Sequence, residues 1–371
     1  MENSLTLLLT LKGRPLFTLR WMYYANKIKL PYHIYIADGE VNQELEKILQ
    51  SKESFPHLSY EYHKYKDLSL PDFYFKVLDS LKKIKTRYVQ MCDNDDFIFT
   101  SGVNLSLRFL EKNTDFVCAQ GRVAGFSLNK NKTYPNLSGK ISKITPLYSK
   151  NYSGALFSSN IALERTLGII ENYKCIYYAV FQTNVLQQIA QEIVHTSFSH
   201  TGIHERFIAY RAASFGKIAI NHSYTSYIRQ YGTSNRAENP YDWVDQLIDS
   251  NFTKDHTSMI EHLHTFLSFN KSPEIGLEIK MDLINAYKNS LRKELKQRYK
   301  RKAFSEKTLN SAKKRLAQIE NLFLQKNILL RSVKKYNGPV EAKMLEHEII
   351  NLKSFLEGNE TEEFIKGGQD A

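Results

Sequence analysis

Along the first 120 residues or so, short apolar runs alternate with segments whose apolar positions recur every three or four residues. Leu5-Thr6-Leu7-Leu8-Leu9-Thr10-Leu11 is almost continuously apolar, the pattern of a strand buried on both faces. It ends at Lys12-Gly13-Arg14-Pro15. Pro15 suits the first turn of a helix, where its fixed φ fits and its missing N–H is not needed, and Leu16 to Ile28 is predicted to continue that helix. Tyr32 to Ala37 reads as a second strand closing on the turn dipeptide Asp38-Gly39. Val41 to Gln50 has helical spacing, and Leu58 to Tyr65 alternates as a strand does. Phe73 to Ile84 carries one apolar face through Phe75, Val77, Leu78, Leu81 and Ile84. Arg87 to Cys92 predicts a fourth strand that runs directly into Asp93-Asn94-Asp95-Asp96, followed by a helix at Val103 to Leu110 and a strand at Asp115 to Ala119.

Such alternation implies an α/β fold: a Rossmann-like, mostly parallel sheet with right-handed crossovers and helices on both faces. Ligands in these sheets bind beyond the carboxyl ends of the strands. Three polar clusters fall there, at Thr10 to Arg14, at Asp38 to Glu40 and at Asp93 to Asp96, so loops from three strands are expected to line one crevice. Further on, residues 127–160 are rich in Asn, Ser, Lys and Tyr and read as a long loop or excursion. Ile176 to Phe181 predicts a strand, Val185 to Ile193 a helix, Ser197 to Gly202 a loop, Glu205 to Phe215 a helix and Lys217 to Ile220 a strand. Past about residue 236 the pattern becomes wholly helical. Leu309, Leu316, Phe323 and Leu330 recur every seven residues, as in a coiled-coil seam. Asn337-Gly338-Pro339 reads as a stop and restart before a second helix at Val340 to Leu356. The expected organisation is an α/β domain over 1–235 and a helical region over 236–371, with an antiparallel helical hairpin at about 305–357.

Composition narrows the choices. A chain of 371 residues with 42% hydrophobic and 24% charged residues can bury a large core, which excludes a disordered chain. Three cysteines without a CxxC pair argue against a disulfide scaffold and a structural zinc site, and favour a reduced, cytoplasmic setting. Leu5 to Leu11 is preceded by Glu2 rather than by basic residues, so it is expected to be strand and not leader. Net charge is +12, with seven basic residues and one acid between Arg292 and Lys302, which favours anionic partners. No GxGxxG follows a strand, and GxxxxGK[ST], HExxH and GxSxG are all missing from the sequence.

The candidate chemistry begins with Asp93, Asp95 and Asp96. Three carboxylates in four residues repel one another unless a cation or a turn network relieves them, and hard oxygen donors at that density suit Mg²⁺ or Mn²⁺. The competing reading is an acidic turn that caps the following helix. Asp38 can accept hydrogen bonds from a base or ribose, or simply form an Asp-Gly turn. Thr10, Lys12 and Arg14 end the first strand and can face a nucleotide, or form a solvated loop. Glu205, at a helix start, is a candidate general base or merely a favourable charge on the helix dipole. His222 is a candidate third metal ligand, although a lone histidine is more often structural. Arg229, with Tyr231 and Arg236, forms a basic, aromatic segment suited to phosphate, or a solvated loop.

Taken in order, these motifs resemble the GT-A glycosyltransferases, near the inverting family 2. The resemblance rests on Thr10-Leu11-Lys12-Gly13-Arg14-Pro15, on Ile36-Ala37-Asp38-Gly39-Glu40, on Lys76 to Thr86 with Tyr88 to Asp96, on Phe97 to Arg122, and on Gly202-Ile203-His204-Glu205-Arg206-Phe207. It covers roughly residues 4–235. The resemblance implies a GT-A-like fold and transfer of a sugar from a nucleotide-sugar donor to an acceptor hydroxyl, inverting and dependent on Mn²⁺ or Mg²⁺. Asp38 would contact the nucleotide, Asp93 the ribose or metal, Asp95 the metal and Asp96 the donor sugar or acceptor. Glu205 would deprotonate the acceptor, although this chain has His-Glu-Arg where the family shows Glu-Asp or Asp. It further implies a glycan or lipid-linked acceptor, a role in bacterial surface glycan synthesis, and a cytoplasmic protein on the inner face of the membrane. The basic helices suggest peripheral membrane contact, and the leucine seam suggests a homo-oligomer; nucleic acid is not expected. The rival readings are a nucleotidyltransferase on a related fold and a non-catalytic basic scaffold.

Overall fold

A computed structural model describes residues 4–40, 42–129, 137–146, 154–231, 251–303 and 339–358. The strands are β1 (Leu5–Leu11), β2 (His33–Asp38), β3 (Tyr60–Lys64), β4 (Tyr88–Cys92), β5 (Phe97–Ile98), β6 (Phe116–Leu128), β7 (Ile141–Pro146), β8 (Ala155–Phe157), β9 (Val180–Gln182) and β10 (Lys217–Gln230). The helices are α1 (Pro15–Lys27), α2 (Gln43–Gln50), α3 (Leu70–Lys83), α4 (Thr100–Lys112), α5 (Ala162–Glu171), α6 (Thr183–Thr196), α7 (Thr201–Phe215), α8 (Phe252–Leu267), α9 (Pro273–Ala303) and α10 (Pro339–Glu357). All strands belong to one sheet in the order β3-β2-β1-β4-β9-β6-β10-β5, with β7 added to β6 and β8 to β10. The pairs β1–β2, β1–β4, β2–β3 and β6–β10 are parallel, and β9 enters antiparallel between β4 and β6. The expected α/β class, with a mostly parallel sheet, is therefore found.

The apolar run of β1 sits centrally with Leu5, Leu7, Leu8 and Leu9 fully buried, as a strand covered on both faces requires. Pro15 opens α1, and a capping box of Ser69 and Asp72 starts α3. Three expectations are corrected. The polar 127–160 stretch is not one long loop, because it contributes β7 and β8 as antiparallel additions to β6 and β10. The strand expected at Ile176 to Phe181 begins only at Val180, because the Ala179 N–H donates to the Ile176 carbonyl at 2.9 Å and closes a turn. The strand expected to end at Ile220 continues to Gln230. The Asn221 side chain accepts from the Ser223 N–H at 2.8 Å, the register slips between Ile220 and Tyr227, and regular pairing then resumes.

The helices past residue 250 pack on this unit: α8 on α7, α9 on α8 and α5, and α10 on α4, β7 and β10. The seven-residue seam at 309–330, the first arm of the expected hairpin, and Arg236 lie outside the described residues. No helix among the described residues is long and apolar enough to cross a membrane.

Candidate active site

Register brings the three polar clusters together. Leu11 pairs with Asp38 across β1–β2, and Leu9 pairs with Cys92 across β1–β4, so Asp38 and Asp93 close the ends of strands on either side of β1. At ~4.8 Å per strand, that is a span of about 10 Å. The loop leaving β1 lies between them. Gly13 (φ 62°) and Arg14 (φ 56°) are both left-handed there, a conformation that glycine adopts freely and arginine does not. This tight reversal turns the Arg14 side chain back over the sheet edge, where Nη1 donates to Asp95 Oδ2 at 3.0 Å and Nη2 to Asn94 Oδ1 at 2.8 Å.

Asp93, Asp95 and Asp96 each place a carboxylate oxygen within 4.8 Å of the others. Each has its own counterweight. Arg14 holds Asp95, the Tyr178 hydroxyl donates to Asp93 Oδ2 at 2.5 Å, and Asp96 accepts from Arg229 Nε at 3.3 Å and from the Gln230 N–H at 2.9 Å. Burial pushes the Asp96 carboxyl up to about 8; the Arg229 guanidinium opposes this, and Asp95 and Asp93 add to it. Burial, then the Asp95 charge, pushes Asp93 up as well. Carboxylates this close, two of them buried, resist sharing their charge without a cation, which is what their raised positions express. The donors are hard oxygens only, so the residues fit Mg²⁺ or Mn²⁺ and not a thiophilic metal.

Support for this loop comes from residues the sequence did not single out. Arg20 of α1 is fully buried and donates to the backbone carbonyls of Asp95 (3.1 Å) and Leu137 (3.1 Å) and to Gln230 Oε1 (2.8 Å). Burial brings its guanidinium down to about 9, against the attraction of Asp95 and Asp96. Tyr178 stacks on Tyr227 at 4.4 Å and lies under Arg229 at 5.2 Å. Gln90 of β4 and Gln120 of β6 donate to the carbonyls of Tyr178 (3.0 Å) and Cys175 (2.8 Å), fixing the turn that carries Tyr178.

At the other end of the crevice, Asp38 is buried, accepts from the Tyr62 hydroxyl at 2.8 Å and from the Glu40 N–H at 3.1 Å, and is raised by burial against those two bonds. Behind it, Lys76 pairs with buried Asp67 at 2.5 Å and donates to the Leu11 carbonyl at 2.8 Å. Burial lowers the Lys76 ammonium, and Asp67 pulls it back. Lys12 reaches the same Asp67 at 3.6 Å. Gly39 is needed for this approach, since a Cβ there would lie 2.3 Å from that of Asp67. A lysine i−4 to Ser80 on the sheet-facing side of α3 was the available signal for Lys76; nothing in the pattern pointed to Asp67 or Arg20.

The expected residues divide accordingly. Thr10, Lys12, Arg14, Asp38, Asp93, Asp95, Asp96 and Arg229 gather at one sheet edge. Glu205 is half-buried in the second turn of α7, and it and Asp93 both raise the Tyr177 hydroxyl, which burial pushes up first. His204 turns inward among Phe73, Tyr74 and Tyr177. His222 is not part of the acidic cluster. It is exposed beside Gly154, seven residues before Arg229, because β10 runs on past Ile220 and carries the site to its far end. Tyr231, next to the site, is exposed and its N–H donates to the Phe126 carbonyl at 2.8 Å.

No known protein family matches the chain, and no curated protein matches it. Among solved structures, Staphylococcus aureus TarS 1–349 in complex with UDP-GlcNAc aligns with a TM-score of 0.49 at 10% identity, covering 95% of this chain and 90% of that one. The TarS 1–349 structure without a named ligand gives 0.47 at 10% identity over the same shares, and its complex with UDP gives 0.43 at 11% identity over 79% and 92%. At these values the likeness says nothing of the chemistry of this chain.

Proposed function

We infer that the chain is a glycosyltransferase, moving a sugar from a nucleotide-sugar donor to an acceptor hydroxyl with a divalent cation and inversion at the anomeric carbon. The observation that carries this reading is the joining, at one sheet edge, of a buried acidic cluster and a separate buried aspartate pocket by the arginine-bearing loop after β1. A nucleoside diphosphate needs both: an acceptor for its base or ribose, and cationic neutralisation of its phosphates. In this reading Asp38, set by Tyr62, accepts from the nucleoside, while Lys12, Arg14 and Arg229 pair with phosphate oxygens. Asp93 and Asp95 would hold Mg²⁺ or Mn²⁺, which supplies positive charge against that of a diphosphate leaving group. Asp96 faces the donor sugar or the acceptor. Glu205 removes the proton from the acceptor hydroxyl as the anomeric bond forms. A glycan or lipid-linked acceptor, in bacterial surface glycan synthesis on the cytoplasmic side of the membrane, fits the resemblance noted above.

Thermal shift with UDP, GDP and dTDP, each with and without Mn²⁺, tests the reading, because a ligand that binds only the folded state raises apparent stability. At least one nucleotide is expected to raise Tm in a Mn²⁺-dependent way, and Asp95→Ala is expected to remove that dependence. A shift identical in Asp95→Ala, or no shift with any of them, overturns the reading. Glu205→Gln is expected to retain the nucleotide shift and to lose transfer by ~10²–10⁴-fold; retained turnover would take the base role away from Glu205.

A further inference from the structure

Large hydrophobic side chains left in solvent are unevenly spread over this molecule. Of thirteen that are exposed among the described residues, six fall in one short segment: Phe266, Phe269, Ile275, Leu277, Met281 and Ile284. The segment is the end of α8, the turn and the first half of α9. Helix α9 already has a packed face, formed by Ile279, Leu283, Ala286, Tyr287 and Ser290, which are buried. At ~100° per residue, Leu277, Met281 and Ile284 lie on the opposite side, as does exposed Lys288. They form a second apolar stripe, 63%, 49% and 38% exposed, with Phe269 the most open at 74%. Singly exposed hydrophobics need no explanation, but three at helical spacing along one outer face, with exposed Phe269 in the turn before the helix, mark a contact surface.

Charge selects the occupant. The helix continues unbroken through Arg292 and Lys293, both exposed, to Ala303. From Phe266 to Lys302 the sequence carries ten Lys and Arg against four Asp and Glu. Glu278 and Asp282 lie beside the stripe, Glu274 stands in line with it one turn before Leu277, and Lys280 reaches back to Glu261 of α8 at 2.6 Å. An apolar stripe with aromatic ends that runs into a basic segment is the complement of an anionic lipid surface: the apolar part enters the headgroup boundary, and the basic part meets the negative charge. Two copies packed side by side in the same direction would instead bring their basic segments together. We propose that the outer face of α9, with the Phe266–Phe269 turn, docks this protein on an anionic membrane surface. That placement is independent of which donor or acceptor the active site takes.

Co-sedimentation of the full chain with phosphatidylcholine vesicles, with and without phosphatidylglycerol, tests it without any nucleotide. Binding is expected only to the vesicles containing phosphatidylglycerol. The double change Leu277→Asp with Met281→Asp is expected to lower partitioning by more than about tenfold, since each buried Leu or Met side chain is worth about that factor or more. Phe269→Asp alone is expected to lower it as well. Tm and the nucleotide-induced shift should stay at the parent values in both variants, because all three side chains are exposed. Absence of binding to anionic vesicles overturns the proposal. So does binding that survives the substitutions, which would assign it to the basic segment alone. A concentration-dependent dimer seen in sedimentation velocity and lost in the double variant would give the face to a second copy, and would overturn it too.

Discussion

Asp96 has the most consequential environment of any single residue in the molecule. It is buried among two other carboxylates, and Arg229 and the Gln230 N–H offset this only in part, so its carboxyl is pushed up to about 8. In the unfolded chain the same group titrates near ~3.9. Between about pH 4 and 8 the folded state therefore keeps a proton that the unfolded state has released, and Asp96 makes the fold less stable as pH rises through that window. A divalent cation in the cluster favours the charged form, so binding expels the proton. Mn²⁺ affinity is expected to rise with pH up to about 8 and then level, and calorimetric titrations in two buffers of different ionisation enthalpy should report proton release that Asp96→Asn lacks. An affinity flat from pH 6 to 8 would show that the Asp96 proton is not coupled to cation binding at Asp93 and Asp95. Asp96 itself was legible in the sequence because its like-charged neighbours are adjacent. Arg20 was not, since its partners Leu137 and Gln230 are 117 and 210 residues away, and a lone arginine in a helix reads as solvated until the fold surrounds it.

At the scale of elements, the acidic loop is bounded by β4 and β5, α4 follows directly, and the start of α4 depends on a distant helix. Phe99, at the N-terminal flank of α4, provides no side-chain cap. Glu348 of α10 takes that place: it accepts from the Ser101 N–H at 3.0 Å and from the hydroxyls of Thr100 (2.5 Å) and Ser101. A carboxylate at a helix N-terminus satisfies donors that have no partner within the helix and complements the dipole. Further along α10, Phe355 packs on Tyr23 and Tyr24, and the Leu356 carbonyl accepts from the Gly139 N–H at 2.9 Å. Glu348→Ala is expected to cost about 1–2 kcal/mol in urea denaturation; a loss within about 0.3 kcal/mol would show that α4 does not need this cap. Local periodicity could show α10 as a helix but not its partner, because capping across more than 240 residues leaves no pattern in either segment. The same limit explains the missed strands. Alternation of apolar runs and helical spacing marked β1 to β4, since β1, β2 and β4 are buried on both faces and β3, at the sheet's edge, alternates. β7, β8 and the far half of β10 are strands because they add to an existing sheet; β8 is only three residues long, and the mixed sequences of β7 and the far half of β10 do not announce it.

For the whole molecule, the change of pattern near residue 236 need not be a boundary in the core. One contiguous set of buried side chains includes Leu5 of β1, Leu107 of α4, Phe207 of α7, Leu263 of α8, Leu283 of α9 and Leu352 of α10. Helices α8 and α9 cover α7 and α5, and α10 covers α4, so the helical region closes faces of the sheet unit that would otherwise be wet. Units that share a core unfold together when the contact between them stabilises each by more than its own margin. The chain is therefore expected to show one calorimetric transition. A nucleotide with Mn²⁺ at about 100 times its dissociation constant adds about 2.7 kcal/mol to the folded state. With ~2.1 cal/mol/K per residue over 371 residues, that should move the entire transition by roughly 3 °C. Two transitions, of which only the first responds to nucleotide, would show that the helices past residue 236 melt on their own, and that their cover over α4, α5 and α7 contributes little to the site.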